Sequence, residues 1–423
     1  MVRTISKGRT SAGIEVIVDT IPDAKTAGFM AAVATGSRDE HPGIFGLSHL
    51  LEHVVFRATP SRNSFQMSKE IEGAGGMLNA FTAKEMTAFY GVTIKDTPDV
   101  AKDIVADIFS RPLIAEEDTE LEKKIVLQEI SMCENEPESY IHDLFDEVIW
   151  KGHPLSNGEA GLKDVVKGLK NTDLRAYYDE RYRIPNIKVF AVGAVDLDDT
   201  IAWAEENFDG MSGGRPNDRQ VPDVKGSAYR HYKRKDDHCY VGMGFRTPMP
   251  KDKDFMAVQL LCTILGSGSS SRLFQSVREE KALVYAIYNY MEPHSDASSM
   301  GTFMSATEEN VLEAIETTAS TYRTFKEDGL AEGELQKAKN MVKGSLIMSM
   351  ESTSRRLYRL ATDTMLKGEP MGLDDVLAKL DKVTEDDVMR VADRFLDPKG
   401  LNIAMYSDDV KSMKDFSADQ LDF

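Results

Sequence analysis

A chain of mixed helix and strand, folded as two homologous halves, is what this sequence predicts. Three observations carry that reading. Short apolar strands alternate with longer stretches of helical spacing. No glycine fingerprint of a dinucleotide-binding fold accompanies them. Two separate segments are echoed roughly 210 residues further on.

Taken in order, Gly13 to Val18 and Gly28 to Ala34 are rich in Val, Ile, Ala and Phe and read as strands, ahead of a helix beginning near Ile44. The segment GMLNAFTAKEMTAFYGVTI reads as two strands around Ala83 to Met86. Pro98 through Leu113 reads as a helix, with Val100, Ile104, Val105 and Ile108 at helical spacing. TDLRAYYDERYRIPNIKVFAVGAVD, from Thr172, is echoed by TEDDVMRVADRFLDPKGLNIAMYSDD, from Thr384: a helix, an aromatic, a proline, then a strand. PLIAEEDTELEKKIVLQEI, from Pro112, has its counterpart in GLAEGELQKAKNMVKGSLI, from Gly329. Between the halves, Gly210 to Ser227 is rich in Gly, Pro and Asp without hydrophobic period and reads as a linker. The expected division is therefore 1–209, a linker 210–227, and 228–423.

Composition narrows the function. With 41% hydrophobic and 29% charged residues, the 423-residue chain is ordinary for a soluble globular protein. A net charge of −19 disfavours a nucleic-acid partner, because phosphate binding needs clustered Lys and Arg. The start, MVRTISKGRTSAGIEVIV, has no apolar signal region, and no apolar run is long enough to span a membrane, so a cytoplasmic location is expected. Cys133, Cys239 and Cys262 show no metal or disulfide spacing and are expected to be reduced and buried. Gly266 to Ser271 lacks the Gly-Lys-Ser/Thr ending of a phosphate loop.

Chemistry concentrates in SHLLEHVVF. His49 and His53 are four apart, on one helix face with Cβ atoms about 6 Å apart, close enough for both imidazoles to reach one tetrahedral metal. Leu47, Leu50, Leu51, Val54 and Val55 supply the buried face. A third ligand is needed, and the best candidate is Glu129 in LEKKIVLQEISM; Glu122, two turns earlier on the same face, is placed to orient a ligand from behind. Two histidines and one carboxylate leave a position open for water, the mark of a catalytic zinc site. His41, His142, His153, His231, His238 and His294 have no ligand spacing and read as surface or capping residues.

HLLEH is an HxxEH motif, the reverse of HExxH, and with the Glu122/Glu129 spacing and the string NAFT, Asn79 to Thr82, the chain resembles the pitrilysin and insulinase family over essentially its whole length. That resemblance implies an α+β fold of two α/β-roll domains, each a mixed or antiparallel sheet packed with helices, together forming half of a clamshell. It implies a Zn2+ ion, with Mn2+ or Co2+ as possible substitutes, on His49, His53 and Glu129, and Glu52 as general base. It assigns substrate contacts to Asn79 and Ala80 on an edge strand that receives the peptide, and to Arg278 and Tyr285 in LGSGSSSRLFQSVREEKALVYAIY. The expected protein is an endopeptidase for unstructured peptides or small unfolded proteins inside a closed chamber, closest to the short bacterial members related to mitochondrial processing peptidase and working as a homodimer. A noncatalytic peptide-binding paralogue and the catalytic subunit of a heteromeric peptidase are the alternatives.

Overall fold

The computed structural model describes residues 4–414, 416–421 and 423. Among these no helix is long and apolar enough to cross a membrane. The chain forms two compact units. The first comprises the chain up to Met132, Asn157–Gln220 and Met348–Gly372; the second comprises Cys133–Ser156, Val221–Ile347 and the chain from Leu373 onward.

The first unit holds a six-stranded sheet of β1 (Thr4–Arg9), β2 (Glu15–Thr20), β3 (Thr26–Val33), β4 (Met77–Thr82), β5 (Thr87–Ile94) and β6 (Ile187–Gly193), in the order β1-β2-β6-β3-β5-β4. The second holds a five-stranded sheet of β7 (Ala228–Lys233), β8 (His238–Thr247), β9 (Val284–Pro293), β10 (Ser298–Thr307) and β11 (Asn402–Ser407), in the order β7-β11-β8-β10-β9. Replacing β2 to β6 by β7 to β11 in turn converts one order into the other. Only β2·β6 and β7·β11 are parallel; the other pairs run antiparallel. The mixed fold class and the internal duplication are thus both present, with β1 as an addition that the sequence reading did not anticipate.

The inner strands of each sheet are covered on both faces, which is why segments such as β2 and β3 read as apolar runs without alternation. Along β3, Phe29 and Ala31 enter one cluster with the helices Leu47–Val55 and Pro98–Ser110, while Met30 and Ala32 enter another with Leu357, Leu360 and Ala361 of the helix Thr353–Lys367. Along β8, Val241, Met243 and Phe245 face one cluster and Tyr240 the other, where Leu144, Phe145 and Val148 of the helix Pro137–Ile149 pack. Close approach of these covering helices requires small residues beneath them. A Cβ on Gly28 would come within 2.7 Å of Leu357, and one on Gly242 within 3.0 Å of Phe145.

The covering helices are exchanged in sequence. Pro137–Ile149 comes from the first half yet belongs to the second unit, and its counterpart Thr353–Lys367 belongs to the first. The contiguous division 1–209 and 228–423 therefore differs from the compact units, which interleave. Two further differences are local. The helix from Pro98 ends at Ser110, short of Leu113, and Cys133 is exposed, whereas Cys239 and Cys262 are buried.

Candidate metal centre

The helix Leu47–Val55 begins at Gly46, whose φ of 94° favours glycine and whose Cβ, if present, would lie 2.8 Å from the Ala160 carbonyl oxygen. Leu47, Leu50, Leu51, Val54 and Val55 are buried, so His49, Glu52 and His53 fall on the remaining stripe. The buried Glu40 carboxylate closes the helix start, accepting from the Gly46 N–H at 2.7 Å and the Ser48 N–H at 2.6 Å. A negative group there is favoured by the helix dipole.

Burial pushes the Glu40 carboxyl up to about 7, against the pull of its two N–H donors. Because the folded value lies above the unfolded one of 4.5, its contribution to stability is present below pH 4.5 and is lost as pH rises through 7. Glu40→Gln should flatten the corresponding fall, on the order of 3 kcal/mol, between pH 5 and 8. Urea midpoints of the metal-free protein at both pH values check this; an equally steep fall in the variant would refute the assignment.

The helix Glu116–Asn135 brings Glu122 and Glu129 to the histidines. Glu129 Oε2 lies 3.3 Å from His53 Nε2 and 3.8 Å from His49 Nε2. His53 Nδ1 lies 3.1 Å from Glu122 Oε2, which orients the ring and leaves Nε2 toward Glu129. Behind Glu122 stands the Arg57 guanidinium at 3.5 Å. The two imidazoles are 4.8 Å apart and nearly perpendicular, at 84°.

One ligand atom from each of His49, His53 and Glu129 lies within 4.8 Å of the others, the single such His/Cys/Asp/Glu group among the described residues. A tetrahedral ion with bonds of about 2.0–2.1 Å spaces its ligands about 3.4 Å apart, so this donor set fits a divalent ion. Burial, then the neighbouring His53, holds the His49 imidazole down to about 4, so it is neutral at neutral pH, the form that binds metal.

Glu52 sits beside this trio. Its Oε2 accepts from the Thr82 hydroxyl at 2.7 Å. Burial raises its pKa; the Thr82 hydrogen bond and His53 pull it back, and Glu129 adds to the rise. Thr82 closes the NAFT string, but its contact with Glu52 spans 30 residues and has no sequence signal. Asn79 and Ala80 lie on β4, the edge strand, where the Ala80 N–H donates to Asn79 Oδ1 at 2.8 Å.

Arg278 and Tyr285 belong to the second unit. Arg278 lies late in a π-helical turn, Phe274–Glu279, with its guanidinium 4.8 Å from the Phe274 ring and 5.9 Å from that of Tyr285. Tyr285 is 73% exposed on β9, the edge strand equivalent to β4. Ala282, between them, adopts φ 52°, an uncommon conformation for a residue with a side chain. The helix Phe255–Gly266, counterpart of the histidine helix, carries no histidine or carboxylate.

The other histidines divide. His153 accepts from the Leu155 N–H in a local turn, as a capping residue does. His294 is buried against Trp150, and His142 packs among Tyr288, Tyr290 and Phe303 with its Nε2 3.0 Å from the Tyr288 hydroxyl. His294 is therefore a core residue and not a surface one, whereas His142 is only part-buried on the helix Pro137–Ile149.

Comparison with known proteins accords with this geometry. Residues 15–161 match the model of the insulinase family (peptidase family M16), and residues 168–342 match that of the peptidase M16 inactive domain. An uncharacterized zinc protease of Streptomyces coelicolor is 31% identical over 398 residues, covering 92% of this chain and 86% of that protein. One from Bacillus subtilis is 29% identical, covering 90% and 93%. The fold is shared with a protease from Helicobacter pylori, at a TM-score of 0.88 and 20% identity, covering 96% of this chain and all of that one (100%). A peptidase M16 inactive domain from Pseudomonas fluorescens also superposes, at 0.88 and 17%. With identity above 30% sustained over nine-tenths of its length, the chain belongs to the insulinase family of peptidases, family M16.

Proposed function

We propose that the chain is a zinc-dependent endopeptidase that hydrolyses unstructured peptides. The observation that carries this reading is the meeting of His49, His53 and Glu129 around one position, with Glu52 held beside them by Thr82. Relatives named zinc proteases support zinc, although a His-His-Glu set also accepts Mn2+ or Co2+.

A divalent ion held by these three side chains would polarise the scissile carbonyl and lower the pKa of a bound water. Glu52 keeps one carboxylate oxygen on Thr82 and has Oε1 to take the proton of the attacking water and return it to the leaving amine. Glu122 holds the His53 ring from behind. A peptide adding along β4 would pair with its open edge at Asn79 and Ala80, so that main-chain bonds supply affinity with little demand on sequence. Arg278 and Tyr285 present a cation and an exposed aromatic ring for further contact with the peptide. A cytoplasmic homodimer enclosing a chamber completes the reading. Light scattering of active protein giving the mass of one chain would dispose of the dimer.

The test is metal analysis of the purified chain together with cleavage of an internally quenched, unstructured peptide. About one zinc per chain is expected, with activity lost to a chelator and restored by zinc. Metal binding without cleavage would turn the account to peptide binding alone. A chain that takes up no metal would sink the site itself.

A further inference from the structure

The glycine- and proline-rich stretch 210–227 reads as a free linker, yet its portion up to Gln220 is fastened to the first unit by side chains. Asn217 donates through Nδ2 to the Ala34 carbonyl at 2.6 Å, and its own N–H donates to Asn186 Oδ1 at 3.0 Å. Arg219 forks onto Asp39, at 2.9 and 2.6 Å, and reaches the Glu85 carboxylate at 3.4 Å. Its guanidinium also donates to the carbonyls of Ala34 and Glu85, at 3.0 and 2.8 Å. Arg38 completes the cluster, donating to Glu85 at 2.6 Å and to the Gln220 carbonyl at 2.7 Å. The side chains of Arg38, Asp39 and Glu85 are 2%, 3% and 5% exposed, so these charges depend on one another for compensation.

What this cluster joins matters for the site. Asp39 precedes Glu40, the carboxylate that closes the start of the histidine helix. Glu85 lies in the turn between β4 and β5, three residues after Thr82, which holds Glu52. The two segments already touch through main chain, the Arg38 N–H donating to the Lys84 carbonyl at 2.8 Å. Gly36 lies so close to the turn that a Cβ would fall 1.9 Å from the Ala83 carbonyl oxygen. Arg219 is the group from outside that fills the angle between them.

We infer that Arg219 is a positioning residue for the reaction: from the linker, it fixes the histidine helix relative to the end of the edge strand, and so places the Thr82 hydroxyl that orients the Glu52 carboxylate beside the metal ligands. The kinetic part of this inference rests on the peptidase reading; the structural part does not.

The test compares Arg219→Ala and Arg219→Lys with Arg215→Ala, which removes an exposed arginine from the same linker. Hydrogen exchange on metal-free protein should show faster exchange in Arg219→Ala at residues 37–40, 46–48 and 83–86 together. Turnover should fall roughly ten- to a hundredfold with KM nearly unchanged and the metal retained. Arg219→Lys should recover part of both effects, because lysine keeps the charge but not the fork. Arg215→Ala should alter neither. Faster exchange confined to 215–220, or turnover per folded molecule equal to wild type, overturns the inference. If Arg219→Ala shows the expected exchange difference but the wild-type chain cuts nothing, the peptidase reading falls and the structural positioning by Arg219 stands.

Discussion

Glu52→Gln should lower turnover by roughly 10²–10⁴-fold while leaving metal content unchanged. The magnitude is that of a positioned general base, and the selectivity follows from geometry. Glu52 is absent from the His49, His53 and Glu129 donor set, so an amide in its place removes no ligand. Glutamine also keeps an oxygen to accept from Thr82, so the side chain stays where it is. It loses the proton-accepting carboxylate alone. Since burial raises the Glu52 carboxyl, the neutral amide should leave the melting temperature equal to or above that of wild type. Metal analysis, melting and steady-state kinetics on the same preparation check all three points. Turnover within tenfold of wild type would mean that another group takes the proton.

Substitutions around the ion should separate into two grades. Glu129→Ala or His53→Ala removes one of three donors, and the chain should then lose its metal on dialysis and with it all activity. Glu122 would act on the ion only through His53, whose Nδ1 lies 3.1 Å from Glu122 Oε2, so Glu122→Gln should weaken metal affinity by roughly 10–100-fold without abolishing binding. Glu129 is 41% exposed at its side chain, so its loss should scarcely alter the metal-free fold, and failure to bind will not be a folding defect. Competition with a fluorescent chelator ranks the variants. Tighter metal binding by Glu129→Ala than by Glu122→Gln would show that the two carboxylates have been assigned the wrong way round.

Much of this centre is legible in the chain itself because its parts are local. His49, Glu52 and His53 share one helix, where a spacing of four places two rings on one face whatever surrounds them. Glu122 and Glu129 share another, two turns apart. Thr82 and Arg219 were illegible for the opposite reason. Each acts through a partner 30 or more residues away, Glu52 in one case and Asp39 and Glu85 in the other, and neither sits in a periodic pattern. Cys133 and His294 show the same limit for burial: exposure depends on what packs against a residue, and a single position carries no period from which to read it.

At the level of the fold, the echo of Thr172 in Thr384 is enough to predict duplication, because a strand or helix is specified by nearby residues and two similar stretches form similar elements. The matching strand orders of the two sheets follow from that. Which copy of the covering helix lies on which sheet does not. Pro137–Ile149 packs under β8 in the second unit and Thr353–Lys367 under β3 in the first. Exchange of equivalent helices leaves the apolar spacing and the repeat distance of the sequence unchanged. The choice rests on contacts such as Leu357 over Gly28 and Phe145 over Gly242, which come into being only when distant parts of the chain are packed.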